Sequence, residues 1–135
     1  MSDTVMWVVA AALSRSDGLW LMHKRPLGKA HGGLWEFPGG KVEAHEIPAQ
    51  SLIRELREEL GIDVREADCE PASFAQGWTE DGARPIVILL YKVRAWEGVP
   101  ACLEGGAIEW CSPQRIADLA KPALDQQLAA QLFIG

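Results

Sequence analysis

The sequence predicts an α/β (α+β) domain, in which strands form a sheet and helices cover it. Three observations predict this. Two apolar runs, Val5–Leu13 and Ile86–Tyr91, have the length and β-branched content of buried strands. The stretch Glu46–Leu60 carries apolar residues at helical spacing, at Ala49, Leu52, Ile53, Leu56 and Leu60. A second helical register follows at Leu124, Leu128 and Leu132. The chain has 135 residues, the size of one typical domain, so a single domain over residues 1–135 is expected. A chain of that size buries roughly 68% of its unfolded surface and needs no disulfide or structural metal to fold.

The elements follow in chain order. Val5–Leu13 reads as a buried strand, Arg15–Gly18 as a turn and Leu19–Lys24 as a second strand, so the pair is expected to form a hairpin. Pro26–Gly33 is a loop, and Trp35–Pro38 a short extended piece before Gly39 and Gly40. The helix expected from Glu46 to Leu60 has Pro48 in its first turn, where a missing N–H costs little, and Gly61 at its end. Cys69–Trp78 and Pro85–Trp96 read as strands around a turn at Glu80–Gly82. Gly98–Gly106 is a long loop and Ala107–Cys111 a short strand. Ser112 then caps a helix with Pro113 at its first position, and a last helix runs from about Pro122 to Phe133.

Composition excludes several classes. The formal net charge of −6 disfavours a nucleic-acid polymer as partner, because duplex binding needs clustered Lys and Arg. An acidic protein can still take a polyphosphate if divalent cations lie between the two anions. No apolar run is long enough to cross a bilayer, so no membrane partner is expected. The cysteines, Cys69, Cys102 and Cys111, are odd in number and read as free thiols. The N-terminal residues lack a basic, apolar leader, and a cytoplasmic location is expected. His23, His31 and His45 lack the spacing of a zinc site, and none is expected there.

The chemistry concentrates in Gly40–Ile62. Glu55, Glu58 and Glu59 stand at i, i+3 and i+4, within an arc of about 100° on a helical wheel. The stripe of Leu52, Leu56 and Leu60 is expected to face away from that arc. Like charges at this spacing repel, and hard cations with oxygen ligands relieve them. Arg54, one turn before Glu58, can pair with it. The triad alone is also compatible with a solvated, salt-bridged helix face.

The wider pattern decides between these readings. Gly40, five residues, Glu46, seven residues, Arg54-Glu55-Leu56, one residue, Glu58-Glu59, one residue, Gly61-Ile62 resembles the Nudix box at every fixed position. A chance match is on the order of 10⁻⁹ per window at average residue usage. The resemblance implies a mixed β-sheet sandwiched between helices (α/β/α), with the box as a loop–helix–loop. It implies Mg²⁺ as cofactor, with Mn²⁺ as a substitute. Glu55, Glu58, Glu59 and the Gly39 carbonyl would be metal ligands. Arg54 would orient the acidic cluster, and Glu46 would support the loop and assist proton transfer. Glu55 or Glu59 would help deprotonate the attacking water.

Beyond the box, the chain is similar to the MutT branch and to the related bacterial CTP pyrophosphohydrolases. Leu34 to Lys41 matches the MutT segment leading into the box. Arg25 and Arg84 match arginines that contact substrate in that branch, and Phe37 would border the base. The segment Trp96 to Trp110 matches without gaps and puts Glu104 where a fourth acidic metal ligand stands. One departure is Asp125, at the place of an asparagine that reads the base. An ionised Asp only accepts hydrogen bonds, whereas Asn also donates, so base choice is expected to differ. The expected activity is cleavage of a (deoxy)nucleoside triphosphate, oxidised or CTP-like, to monophosphate and pyrophosphate by a monomer or homodimer. Cleavage of another nucleoside diphosphate derivative and a non-catalytic nucleotide-binding module are the alternatives.

Overall fold

The computed structural model describes residues 4–133. Strand β1 (Met6–Leu13) is the spine of the fold. It lies between β4 (Gly39–Lys41), antiparallel to it, and β6 (Pro85–Val93), parallel to it along its whole length. β5 (Cys69–Trp78) completes this sheet antiparallel to β6, giving the order β4-β1-β6-β5. A smaller antiparallel sheet has the order β3-β2-β7, from β3 (Trp35–Glu36), β2 (Trp20–Lys24) and β7 (Ala107–Cys111).

Helices α1 (Pro48–Leu60), α2 (Pro113–Asp118) and α3 (Ala123–Leu132) cover the larger sheet from its two faces. The period-2 alternation of β1 explains why it is apolar throughout. Val9, Ala11 and Leu13 pack with Leu52, Leu56 and Leu60 of α1. Ala10 and Ala12 face the other layer, with Ile116 of α2 and Leu128 of α3. Each fully buried leucine of α1 stabilises the fold by about 1.5–3 kcal/mol relative to exposure. This is the α/β/α sandwich expected.

Three expectations are corrected in detail. β1 and β2 do not form an extended hairpin: the bridge Ser14–Trp20 and the Arg15 N–H bond to the Leu19 carbonyl link only their ends. Both edges of β1 are taken, by β4 and by the apolar β6, so β2 passes to the second sheet. α1 begins at Pro48 rather than Glu46, because Ile47 precedes a proline and is held extended at φ −79°, ψ 157°. Glu46 therefore lies in the turn before the helix. β6 ends at Val93, not Trp96, and Glu97 instead bridges Asp63 after α1.

Candidate active site

Two glycines bring the site together. Gly39 and Gly40 of β4 pair with Ala10 and Val9 of β1. A Cβ on Gly39 would overlap the Val9 carbonyl, and one on Gly40 would land on the Glu55 carboxylate. Only bare backbone lets α1 set Glu55 directly against β4.

Arg54 is the hub of the outer side. Its Nε and Nη2 grip both oxygens of Glu46 at 2.9 and 3.0 Å. Its Nη1 donates to Glu55 at 2.8 Å and to Glu58 at 3.4 Å. Nη2 also reaches the Lys41 carbonyl at 3.2 Å, which ties β4 to the helix. Glu46 accepts a further bond from Ser51 Oγ at 2.7 Å. Arg54, seconded by Ser51, holds the Glu46 carboxyl down to about 2. Its geometry makes Glu46 the anchor of Arg54.

On the inner side, Glu59 is 6% exposed. The helical wheel explains it: Glu59 sits only about 20° from Leu52, at the edge of the apolar stripe rather than opposite it. The expected separation of acidic arc and apolar stripe holds for Glu58, which is half exposed, but not for Glu59. Burial pushes the Glu59 carboxyl up, and the charges of Glu36, Glu55 and Glu104 add to the effect against the opposing pull of His23. Burial also raises Glu55, opposed by Arg54. Glu59 Oε1 is buried and has no hydrogen-bond donor. Glu59, with its orphaned oxygen, and Glu55 and Glu104, whose charges bear on it, make a set that fits a hard divalent cation with oxygen ligands.

A cleft of about 370 Å³ collects Glu55, Glu59 and Glu104 with Gly39, Gly40 and Arg25 in its walls. Glu104 reaches it because the 98–106 loop is bonded to the end of α1: Ala101 N–H donates to Leu60 O and Leu103 N–H to Glu59 O, both at 3.0 Å. Glu58 does not line this cleft and stays on the Arg54 side.

A second cavity of about 600 Å³ adjoins the first and shares Arg25, Gly39, Gly40 and Lys41 with it. Its character is apolar, with Phe37, Trp78, Ile86, Ile88 and Leu124 in the wall. Asp125 is the buried acid of that wall, which Glu36 and Glu80 also line; it is 6% exposed, with Oδ2 accepting the Phe37 N–H at 3.1 Å. Burial lifts the Asp125 carboxyl to about 7, against the pull of the Phe37 N–H. Arg25 stands where the two cavities meet, its Nε on the Ala30 carbonyl at 2.7 Å and Nη1 on Glu36 at 3.2 Å.

The structure does not bring Arg84 to either cavity. Its Nε donates to the Thr4 carbonyl at 3.1 Å, and the side chain lines a surface cleft with Asp81 that shares Met6, Thr79 and Glu80 with the apolar cavity. Sequence reasoning missed His23 and Glu36 as members of the site. His23 is 4% exposed, with Nδ1 at 3.3 Å from Glu59 and 3.4 Å from Glu36. The available signal was alternation: His23 shares a face of β2 with Leu21, which packs into the α1 layer.

Comparisons with known proteins agree with this geometry. The model of the NUDIX domain matches residues 5–132. The CTP pyrophosphohydrolase of Escherichia coli (strain K12) is 40% identical over 106 residues, covering 78% of this chain and 76% of that protein. The 8-oxo-dGTP diphosphatase of the same organism is 34% identical over 105 residues, covering 77% and 78%. Among solved structures, the E. coli ORF135 protein superposes with a TM-score of 0.84 at 35% identity, over 97% of this chain and 90% of that one. A MutT structure from a study of the Aliivibrio salmonicida and Vibrio cholerae proteins gives 0.75 at 30% identity, over 96% and 97%. Among the described residues, no helix is long and apolar enough to cross a membrane.

Proposed function

The chain belongs to the Nudix family as a hydrolase of nucleotide phosphoanhydride bonds, and we propose that it is a Mg²⁺-dependent pyrophosphohydrolase of (deoxy)nucleoside triphosphates. The observation that carries this reading is the shared wall. The acidic cleft and the apolar cavity meet along Gly39, Gly40 and Lys41, with Arg25 at the junction. A ligand filling both is apolar and flat at one end and anionic at the other, as a nucleoside triphosphate is.

Glu55, Glu59, Glu104 and the Gly39 carbonyl would hold the metal, and Glu58 would join them by turning from Arg54 towards the cleft. When bound, the metal supplies charge neutralisation on the phosphate oxygens and a more acidic water. The chain's own residues do the rest. Arg54, anchored by Glu46, keeps Glu55 turned towards β4. Glu55 or Glu59 takes the proton of the attacking water, because burial makes each a stronger base than an exposed carboxylate. Water adds across the phosphoanhydride between the α- and β-phosphates, and nucleoside monophosphate and pyrophosphate leave. Arg25 meets the phosphates at the junction, and Phe37 and Asp125 border the base.

The names of the relatives support a triphosphate of cytosine or of an oxidised guanine as substrate. A panel of CTP, dCTP, 5-methyl-dCTP, dGTP, 8-oxo-dGTP, ADP-ribose and diadenosine polyphosphates, with product analysis, tests this. The triphosphates should be cleaved fastest and give pyrophosphate. Preference for ADP-ribose or a dinucleoside polyphosphate would replace the reading with another nucleoside diphosphate derivative.

A further inference from the structure

His23 makes an arrangement that the hydrolytic reading leaves unused. Its Nε2–H donates to the Gly105 carbonyl at 3.1 Å. That bond fixes the ring and turns Nδ1 inwards, 3.3 Å from Glu59 Oε1 and 3.4 Å from Glu36 Oε2, where a bound cation would take the place of the Nδ1 proton that the two carboxylates favour. All three ligand atoms lie within 4.8 Å of one another. Glu59 Oε1 is the buried oxygen that lacks a donor. A ring nitrogen and two carboxylate oxygens, one of them without a hydrogen-bond partner, therefore converge on one point. The ring's backbone anchor is the outer-sphere partner that metal-binding histidines ordinarily have. Arg25 donates to the same Glu36 Oε2 at 3.2 Å and holds that carboxylate against His23.

We propose that His23, Glu36 and Glu59 form a nitrogen-containing site for a borderline divalent cation such as Zn²⁺ or Co²⁺. Spacing and donor type both point away from Mg²⁺. Tetrahedral bonds of about 2.0–2.1 Å set neighbouring ligand atoms about 3.3–3.4 Å apart. That is the separation His23 Nδ1 already has from both carboxylates. An octahedral Mg²⁺ needs a closer set of about 2.9 Å and prefers oxygen to imidazole. The three ligands come from β2, β3 and α1, so no sequence spacing announces them. Glu59 belongs to this site and to the acidic cleft at once. Zn²⁺ bound here would draw Glu59 away from the catalytic metal and inhibit hydrolysis. That consequence rests on the function proposed above, whereas the binding does not.

The experiment is titration of Zn²⁺ into the metal-free full chain at pH 7 by calorimetry, without Mg²⁺, followed by Co²⁺ substitution and visible absorption. One equivalent of Zn²⁺ should bind the wild-type chain. Binding should weaken by about tenfold or more in His23→Gln, the scale on which loss of site-shaping groups acts. The Co²⁺ form should carry the intense visible bands of a four-coordinate nitrogen–oxygen site, and His23→Gln should lose them. Glu36→Gln, checked with it for a native circular-dichroism spectrum, gives the same reading if His23→Gln fails to fold. Equal Zn²⁺ affinity in wild type and folded variants, or no Zn²⁺ binding by the wild type, overturns the site. An enzyme that binds Zn²⁺ through His23 yet never hydrolyses a nucleotide with Mg²⁺ would leave the site standing and remove the proposed function.

Discussion

The Phe37 amide donates to Asp125 Oδ2 at 3.1 Å across 88 positions of sequence, joining the segment before β4 to the first turn of α3. This bond ties the floor of the apolar cavity to Asp125, the buried acid beside Leu124 in a wall that Glu36 and Glu80 also line.

Asp125 should therefore govern base choice rather than turnover in general. Asp125→Ala should lower kcat/KM for the preferred base and flatten differences among bases, while triphosphate binding survives. Asp125→Asn should shift the preference without general loss, because it keeps the acceptor for Phe37 and adds an N–H donor. Kinetics on the substrate panel check this. An equal drop on every nucleotide would make Asp125 a structural acid.

The same residue has a pH signature. Its folded pKa of about 7 lies above the ordinary carboxylate value. The folded state then binds the proton more tightly, so stability is greatest in acid and declines as pH rises from about 4 to about 7. Asp125→Asn should lack this part of the decline and exceed the wild type in Tm at pH 8. Melting curves from pH 4 to 8 on both proteins give the comparison. A variant less stable than wild type at pH 8 would mean that the ionised carboxylate is a net stabilising group.

Glu59 should behave similarly without metal. Burial raises its carboxyl, so ionisation above the ordinary range costs stability in the metal-free protein. Glu59→Gln should melt higher than the wild type at pH 8 without metal, and should lose most of its kcat with Mg²⁺. The Mg²⁺-induced rise in Tm should shrink in the variant. Wild-type turnover by Glu59→Gln at saturating Mg²⁺ would remove Glu59 from the metal set.

Much of this site was legible in the sequence, for a physical reason. The box helix is local: its apolar period, Pro48 at its start and Gly61 in the left-handed region at φ 71° are written within a few residues. The box spacing then named Glu55 and Glu59, and the match from Trp96 to Trp110 led to Glu104, which the fold carries to the same cleft. What could not be read was non-local pairing. Nothing near Val9 says that its neighbours are Gly40 and Leu89, so a hairpin looked natural for β1 and β2. For the same reason His23 looked like an isolated histidine until β2 was laid beside α1. Arg84 sits on the Thr4 carbonyl in a cleft that adjoins the apolar cavity, a position that the pattern alone did not give.

Arg54 tests the orientation of the acidic cluster. Arg54→Lys keeps the charge but cannot hold Glu46 with two nitrogens and Glu55 with a third. Turnover should fall by about tenfold or more, with KM changed less. The loss in stability should stay within about 1–2 kcal/mol, since the group is partly exposed. Steady-state kinetics beside a urea melt separate the two. A rise in KM alone would place Arg54 in substrate binding.

Product analysis by ³¹P NMR, on CTP and 8-oxo-dGTP with and without Mg²⁺, tests the central claim most directly. The predicted result is monophosphate plus pyrophosphate in equal amounts, with no detectable conversion after chelation of the metal. Release of nucleoside diphosphate and orthophosphate, or cleavage that persists without divalent cation, would contradict it.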